Sequence, residues 1–356
     1  KRSMSGPAAP LLLGCGNPTV DITCQVSRDD LAALGLPPGA EAAGLADEVK
    51  AALVAFAAGR EGATVSPGGA ALNALRVAAW AGGHSIRAAF VGSVGRDAHG
   101  ELLREAALDA GVVPLLLEDS ELPTGVSASL VERDSRDRAL ATVRGAAAAL
   151  CPAFVREPHV AAIVEEASML YLTAFVLSTE PRLSAAEALA GAVLGRGGAL
   201  AVNLSSAGLL PKVREPLLKL LPRCRYAFGN LGELRALARL LDWPAPASGA
   251  GGDDREALAA AFAAELGEGG AAVITAGAEA TLVAVRGSSV RSFPVPPVPR
   301  SEIADTNAAG DAFVGGFLAE VLQDGTSLES CVEAGHAAAG FILRRQGCDL
   351  RARAVS

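Results

Sequence analysis

Aromatic side chains are scarce in this chain of 356 residues, at 4%, which leaves few rings to stack on a heterocycle. The six cysteines, Cys15, Cys24, Cys151, Cys224, Cys331 and Cys348, show no CxxC spacing, which excludes a zinc-ribbon site or a disulfide framework and makes a reduced cytoplasm the simplest compartment. Basic runs are missing too. With a net charge of -8, nothing draws the chain to nucleic acid or to an anionic membrane surface. No apolar run reaches the ~18 residues needed to span a bilayer, although mean hydropathy is +0.34. Lys1 to Pro10 carries neither an apolar signal core nor an Arg-rich amphipathic pattern, which leaves targeting open. The first glycine cluster, Gly14-Cys15-Gly16, runs into Asn17-Pro18 rather than a helix. Without a GxGxxG and a downstream acid, a dinucleotide-binding dehydrogenase is disfavoured.

What is present alternates. Leu11–Gly14, Ala88–Val91, Met169–Leu172, Ala199–Leu204, Tyr226–Phe228 and Ala272–Thr275 are short apolar runs of the buried-strand type. Helical spacing separates them over Leu72–Ala81, Glu101–Ala110, Pro181–Leu194, Glu233–Leu241, Arg255–Leu266, Ala312–Leu322 and Leu328–Arg345. This predicts βαβ units and a mainly parallel α/β sheet. Thr19–Ser27 and Gly125–Val143, the latter with a charged turn at Arg133–Arg138, read instead as antiparallel strands of a small sheet. That sheet is expected to form a lid over the strand ends, where open α/β sheets bind ligands. The division expected is 1-18, 67-122 and 146-356 for the large domain and 19-66 and 123-145 for the lid. Pro244–Asp254 reads as an inert surface loop.

The most informative segment is Asp305-Thr306-Asn307-Ala308-Ala309-Gly310-Asp311. Small residues precede one carboxylate where a helix starts, so a ligand can approach N–H groups that carry partial positive charge. Ala308, Ala309 and Gly310 would form an anion hole for a phosphoryl group in transit. Asp311, kept ionised by the helix dipole, would orient a substrate hydroxyl and accept its proton. The same residues also read as a capping Asp beside packed glycines.

Gly68-Gly69 followed by Asn73 opens a helix after Ser66-Pro67. Its bare backbone and mixed donor and acceptor suit a ribose diol, or else make a turn with an exposed Asn. Asn17 and Asp21 leave the first strand, and Asp21 could take vicinal hydroxyls or be a solvated edge carboxylate. Asn230 and Glu233 follow a buried strand; they suit a hydrated Mg²⁺ on a nucleotide phosphate, or equally a capping box. Thr275 and Gly277 end another strand, to bind phosphate or simply to turn. Arg138 in the lid could reach the transferring group or belong to a solvated hairpin. His336 could approach a nucleotide base or merely pack, while Gly335–Gly340 allows close helix contact.

In order, Gly68-Gly69 with Asn73, Gly92–Asp97 with Gly100, Asn230 with Glu233, Thr275 with Gly277, and Asp305–Asp311 resemble the ribokinase-like, or PfkB, carbohydrate kinase family from Gly14 to Cys348. The resemblance implies a three-layer α/β/α domain with a small β lid, ATP and Mg²⁺ as cofactors, Asp311 as base and Ala308–Gly310 as anion hole. It implies acceptor contacts at Asn17, Asp21, Gly68, Gly69, Asn73, Phe175 and Asn307, and nucleotide contacts at Asn203, Asn230, Glu233, Thr275, Gly277 and His336. Gly16-Asn17-Pro18 with Asp21, Arg76-Val77 with Trp80, and Ala334-Gly335-His336 are most similar to the nucleoside-phosphorylating branch. This implies the 5′-hydroxyl of adenosine as acceptor, in a monomer. Ala308 replaces a usual glycine, Val176 a usual aromatic and Ala278 a common basic residue. Another nucleoside, a free sugar or a non-catalytic binding role are the alternatives.

Overall fold

The computed structural model describes residues 8–35, 46–133, 138–243 and 254–351. Its strands are β1 (Leu11–Cys15), β2 (Thr19–Val26), β3 (Thr64–Gly68), β4 (Arg87–Gly95), β5 (Val112–Asp119), β6 (Gly125–Glu132), β7 (Arg138–Val143), β8 (Ala167–Thr173), β9 (Ala199–Asn203), β10 (Tyr226–Asn230), β11 (Ala271–Ala276), β12 (Glu279–Val285) and β13 (Arg291–Phe293). Nine form one sheet in the order β13-β12-β11-β10-β9-β8-β1-β4-β5, and four form a second in the order β3-β2-β6-β7. In the large sheet β12 and β13 are antiparallel to their neighbours and the remaining pairings are parallel.

β1 explains the layering. Every residue of Leu11–Cys15 is buried, as a parallel strand covered on both faces requires. Leu11, Leu13 and Cys15 point into one core, shared with Leu189 and Val213, while Leu12 points into the other, with Leu72 and Phe317. Helices therefore pack on both faces, giving the three-layer architecture. On the second face the helices Ala70–Gly82, Ala309–Val321 and Leu328–Ile342 approach closely through glycine. A Cβ on Gly315 would lie 2.4 Å from the Ala74 carbonyl oxygen, and one on Gly316 would lie 2.5 Å from that of Ala334. A Cβ on Gly335 would meet the Phe313 ring at 2.8 Å.

The small sheet departs from the sequence reading in direction. β2 and β6 run parallel, in register from Thr19 opposite Gly125 to Val26 opposite Glu132. Their antiparallel neighbours are β3 and β7. Alternation marks a half-buried strand but carries no information on direction. One face, with Ile22, Cys24 and Val26, packs on Leu31 and Leu53 of the helices Arg28–Ala33 and Asp47–Ala58. The other face carries Ser66, Asp21, Ser127 and Thr142 side by side in one row. Residues 134–137 of the charged turn and 244–253 of the Pro-rich loop lie outside the described residues.

The chain crosses between the sheets at Gly16–Pro18, Gly69, Ser120–Thr124 and Arg144–Gly145, and glycines lock these crossings together. Gly69 (φ 93°) leaves no room for a Cβ, which would sit 2.5 Å from the Asn17 carbonyl oxygen. Gly145 (φ 49°) is packed in the same way against the Pro123 carbonyl, and Gly125 against that of Arg144. No helix among the described residues is long and apolar enough to cross a membrane.

Candidate active site

The turn before the Ala309–Val321 helix is built by Asp305. One carboxylate oxygen accepts from the Asn307 N–H at 2.9 Å, and the other accepts from the Gly347 N–H at 3.0 Å, tying the turn to the C-terminal loop. Ala308 then takes a left-handed conformation (φ 59°) as N-cap, without a side-chain cap. A residue with a Cβ pays about 1 kcal/mol or more for that conformation. The first-turn N–H groups of the helix consequently have no intrahelical acceptor. A Cβ on Gly310 would meet nothing within 4 Å, so its missing side chain opens onto empty space.

Asp311 follows on the first turn and accepts a hydrogen bond from Asn73 Nδ2 at 3.1 Å. Burial pushes its carboxyl up to about 6, and the Asn73 hydrogen bond works in the opposite direction. The helix dipole does not alone decide its state, as the sequence reading had it. At pH 7 roughly nine-tenths remains ionised for a group with that pKa. Asn73 is 4% exposed and its Oδ1 has no partner, which leaves a buried acceptor atom beside the carboxylate. Asp21 is pushed up to about 7, first by burial and then by the charges of Asp311 and Asp305. Its position explains Gly68: a Cβ there would lie 2.3 Å from the Asp21 carboxyl carbon. The room left at Gly68 and Gly69 is thus filled from within the protein, by Asp21 and by Asn17, rather than held open for a ligand.

On one side of Asp311 lies a cavity of about 210 Å³ that Ala308, Gly310, Asn203, Asn230, Glu233 and Thr275 help to line. Asn230 and Glu233 form a capping box: Asn230 Oδ1 accepts from the Glu233 N–H at 2.9 Å and Glu233 Oε2 accepts from the Asn230 N–H at 2.9 Å. The pair is the capping box that the sequence allowed, and that box fixes two oxygen-bearing side chains at the cavity wall. Among the described residues no cluster of three His, Cys, Asp or Glu could hold a metal. The donor set therefore fits a hydrated Mg²⁺ brought by phosphates rather than one caged by protein. Asn203 Oδ1 accepts from the N–H of Ser205, a residue with φ 71° that also lines the cavity.

The remaining candidates fall at various distances from this centre. Gly277 (φ 64°) makes the β11–β12 turn with open space beside it. His336 Nε2 is 2.8 Å from Thr281 Oγ1, and its ring lies 5.5 Å from that of Phe313, which lines the cavity; His336 itself does not. Val176 is fully buried in the core while Phe175 is half-buried, so the register leaves Phe175 as the accessible ring. Asp21 and Asn307 line a second cavity of about 630 Å³, with Ser66, Arg76 and Trp80. Arg138 opens β7 opposite Val131, and its side chain lies outside the described residues. Asn17 Oδ1 accepts from Arg182 at 2.8 Å. Arg182 was missed, because an arginine opening a helix reads as solvated.

Unpaired N–H groups at a helix start, a buried carboxylate on its first turn and a small second sheet joined to a three-layer α/β/α fold are the features of a phosphotransferase of the ribokinase type. The chain belongs to the pfkB family of carbohydrate kinases, whose sequence pattern matches residues 52–353. It is similar to Adenosine kinase 1 of Arabidopsis thaliana, with 30% identity over 342 residues covering 95% of each chain. Among solved structures it is similar to Anopheles gambiae adenosine kinase in complex with P1,P4-di(adenosine-5) tetraphosphate, with 30% identity, coverage of 95% of this chain and 96% of that one, and a TM-score of 0.85. The adenosine kinase of Schistosoma mansoni in complex with 2-fluoroadenosine has 26% identity, coverage of 96% and 97%, and a TM-score of 0.85.

Proposed function

We propose that this chain transfers the γ-phosphoryl group of ATP to the 5′-hydroxyl of adenosine, releasing AMP and ADP. One observation carries the reading. Asn73 gives its Nδ2 to Asp311 and keeps a buried, unpartnered Oδ1 beside it, and Asp21 lies near enough to feel the charge of Asp311. An unsatisfied buried acceptor is costly, and a sugar hydroxyl is the donor that would satisfy it.

In this reading Asp21 accepts from the ribose hydroxyls, and Asp311 orients the 5′-hydroxyl and takes its proton late in a loose transition state. The N–H groups of Ala309, Gly310 and Asp311 hold the migrating phosphoryl group. The cavity of about 210 Å³ is too small for a whole nucleotide and suits its phosphate end. Asn230 and Glu233 would meet Mg²⁺ through water there, adding charge neutralisation of the phosphates. The nucleoside then extends over Phe175. The small sheet acts as lid, Arg138 rides on it, and no second copy is needed to complete the site, so the active unit is a monomer. Six free cysteines suit a reducing cytoplasm.

The burial of Val176 supports a second reading, in which a single ring at Phe175 holds the base loosely and another nucleoside or a free sugar is preferred. The test is ADP release from Mg·ATP with adenosine, guanosine, a pyrimidine nucleoside and ribose. Adenosine is expected to give the highest kcat/KM. A better acceptor among the others would replace it.

A further inference from the structure

Arg182 opens the Arg182–Gly195 helix and is 0% exposed. Its guanidinium donates to Asn17 Oδ1 at 2.8 Å, Ser178 Oγ at 2.9 Å and Thr179 Oγ1 at 2.6 Å, and its Nε has no partner. Each of those acceptors is neutral. A buried cation without a counter-charge is unfavourable, and the positive end of a helix adds to the penalty. Burial, with Arg144 nearby, lowers its pKa to about 10, which still leaves it charged at neutral pH. Hydrophobic packing would serve stability better at such a position, so the cation is kept for what it holds.

What it holds are two pieces of the acceptor side. Asn17 sits in the crossing from β1 to β2, against Gly69. Ser178 donates to the Phe175 carbonyl oxygen at 2.9 Å, so the same guanidinium reaches the segment that presents the Phe175 ring. Because guanidinium is a donor only, it fixes the Asn17 amide with Oδ1 inward. The group that Asn17 can then offer elsewhere is the NH₂ donor.

The geometry points to Arg182 as a positioning residue that locks Asn17 as a hydrogen-bond donor to the phosphoryl acceptor, selecting acceptors that carry an unprotonated ring nitrogen or an ether oxygen at that point. This rests on the acceptor site proposed above. Removing the lock costs acceptor binding and leaves the chemical step intact.

The experiment uses the full-length enzyme with Arg182→Gln, Asn17→Ala, their double variant, and Asn17→Asp. In Arg182→Gln the KM for adenosine should rise about tenfold, the value of one hydrogen bond, with kcat and the KM for ATP changed less than about twofold. The double variant should be no worse than Asn17→Ala alone. Asn17→Asp supplies the missing negative charge but no donor, so Tm should rise by about 2 °C while the KM for adenosine also rises. That divergence is not expected of a merely structural arginine, and it remains measurable if Arg182→Gln fails to fold. Multiplicative KM effects in the double variant, or Asn17→Asp with an unchanged KM, overturn the role. Absence of ADP release by the wild-type enzyme with adenosine overturns instead the acceptor reading on which the inference stands.

Discussion

At the scale of single residues, the proposed chemistry and its pH dependence rest on Asp311 and Asp21. Asp311→Asn should lower kcat by about 10³-fold or more with little change in adenosine binding, measured by calorimetry, since it removes a group that acts in the transition state. The acid limb of kcat/KM should fall between pH 6 and 7, reporting the coupled carboxylates rather than either alone. Their raised values carry a stability cost. From the ordinary carboxylate range up to about 7, the folded state binds more protons than the unfolded, so these two groups favour folding at low pH and lose that contribution as pH rises through 6 and 7. Asp21→Asn should therefore raise Tm by about 2–5 °C at pH 8 and by much less at pH 4, followed by calorimetric scans. Asp311 stood out in the sequence because small residues run up to an acid where a helix starts, a pattern shared by an anion site and a capped helix. Gly68 was also marked, but its reason, an adjacent Asp21 carboxylate, lies in cross-strand pairing that no local window contains. Arg182 was hidden for a related cause, as its burial depends on Asn17, far away in the chain.

Between elements, the placement of Asp311 against Asn73 depends on how closely two helices approach. Gly315 touches the backbone of the Ala70–Gly82 helix, one turn beyond Asp311 and next to the turn that carries Asn73. Gly315→Ala should push the helices apart, destabilise the fold by about 2 kcal/mol in urea unfolding, and lower kcat more than it raises the KM for ATP. A variant of unchanged stability and turnover would show that the contact has slack. Continuous apolar runs made β1, β4, β8, β9, β10 and β11 readable, since strands buried on both faces have no polar positions. Four strands were overlooked, β3, β5, β12 and β13, and two of them show why. β5 is an edge strand carrying Pro114, a residue that demotes a strand in any local reading and is tolerated only at an edge. β13 is three residues long, too short for a period. The parallel pairing of β2 with β6 was out of reach because alternation is blind to direction.

Across the whole molecule, the proposed lid is a separate sheet with the polar row Ser66, Asp21, Ser127 and Thr142, of which Ser66 and Asp21 line the cavity of about 630 Å³. With adenosine and a non-hydrolysable ATP analogue bound together, amide hydrogen exchange in β2, β6 and β7 should slow several-fold, and more than with either ligand alone. Equal protection by ATP analogue alone would remove the small sheet from acceptor closure. The two-sheet plan was legible because a change from continuous apolar runs to alternation marks a change of layer, whereas the interlocked crossings were not, being contacts between distant glycines. Those crossings have a practical consequence. Asn17 and Gly69 lie at the crossing between the sheets, so a nucleoside bound there, as proposed, would bear on the angle between them. Dyes attached at the solvent-facing positions Val65 and Leu108, 52% and 57% exposed, would sit on either side of the cavity that Val65 and Asp109 both line, and would turn a closing of that cavity over substrate into a change in energy transfer, making the molecule a gauge for its own substrate.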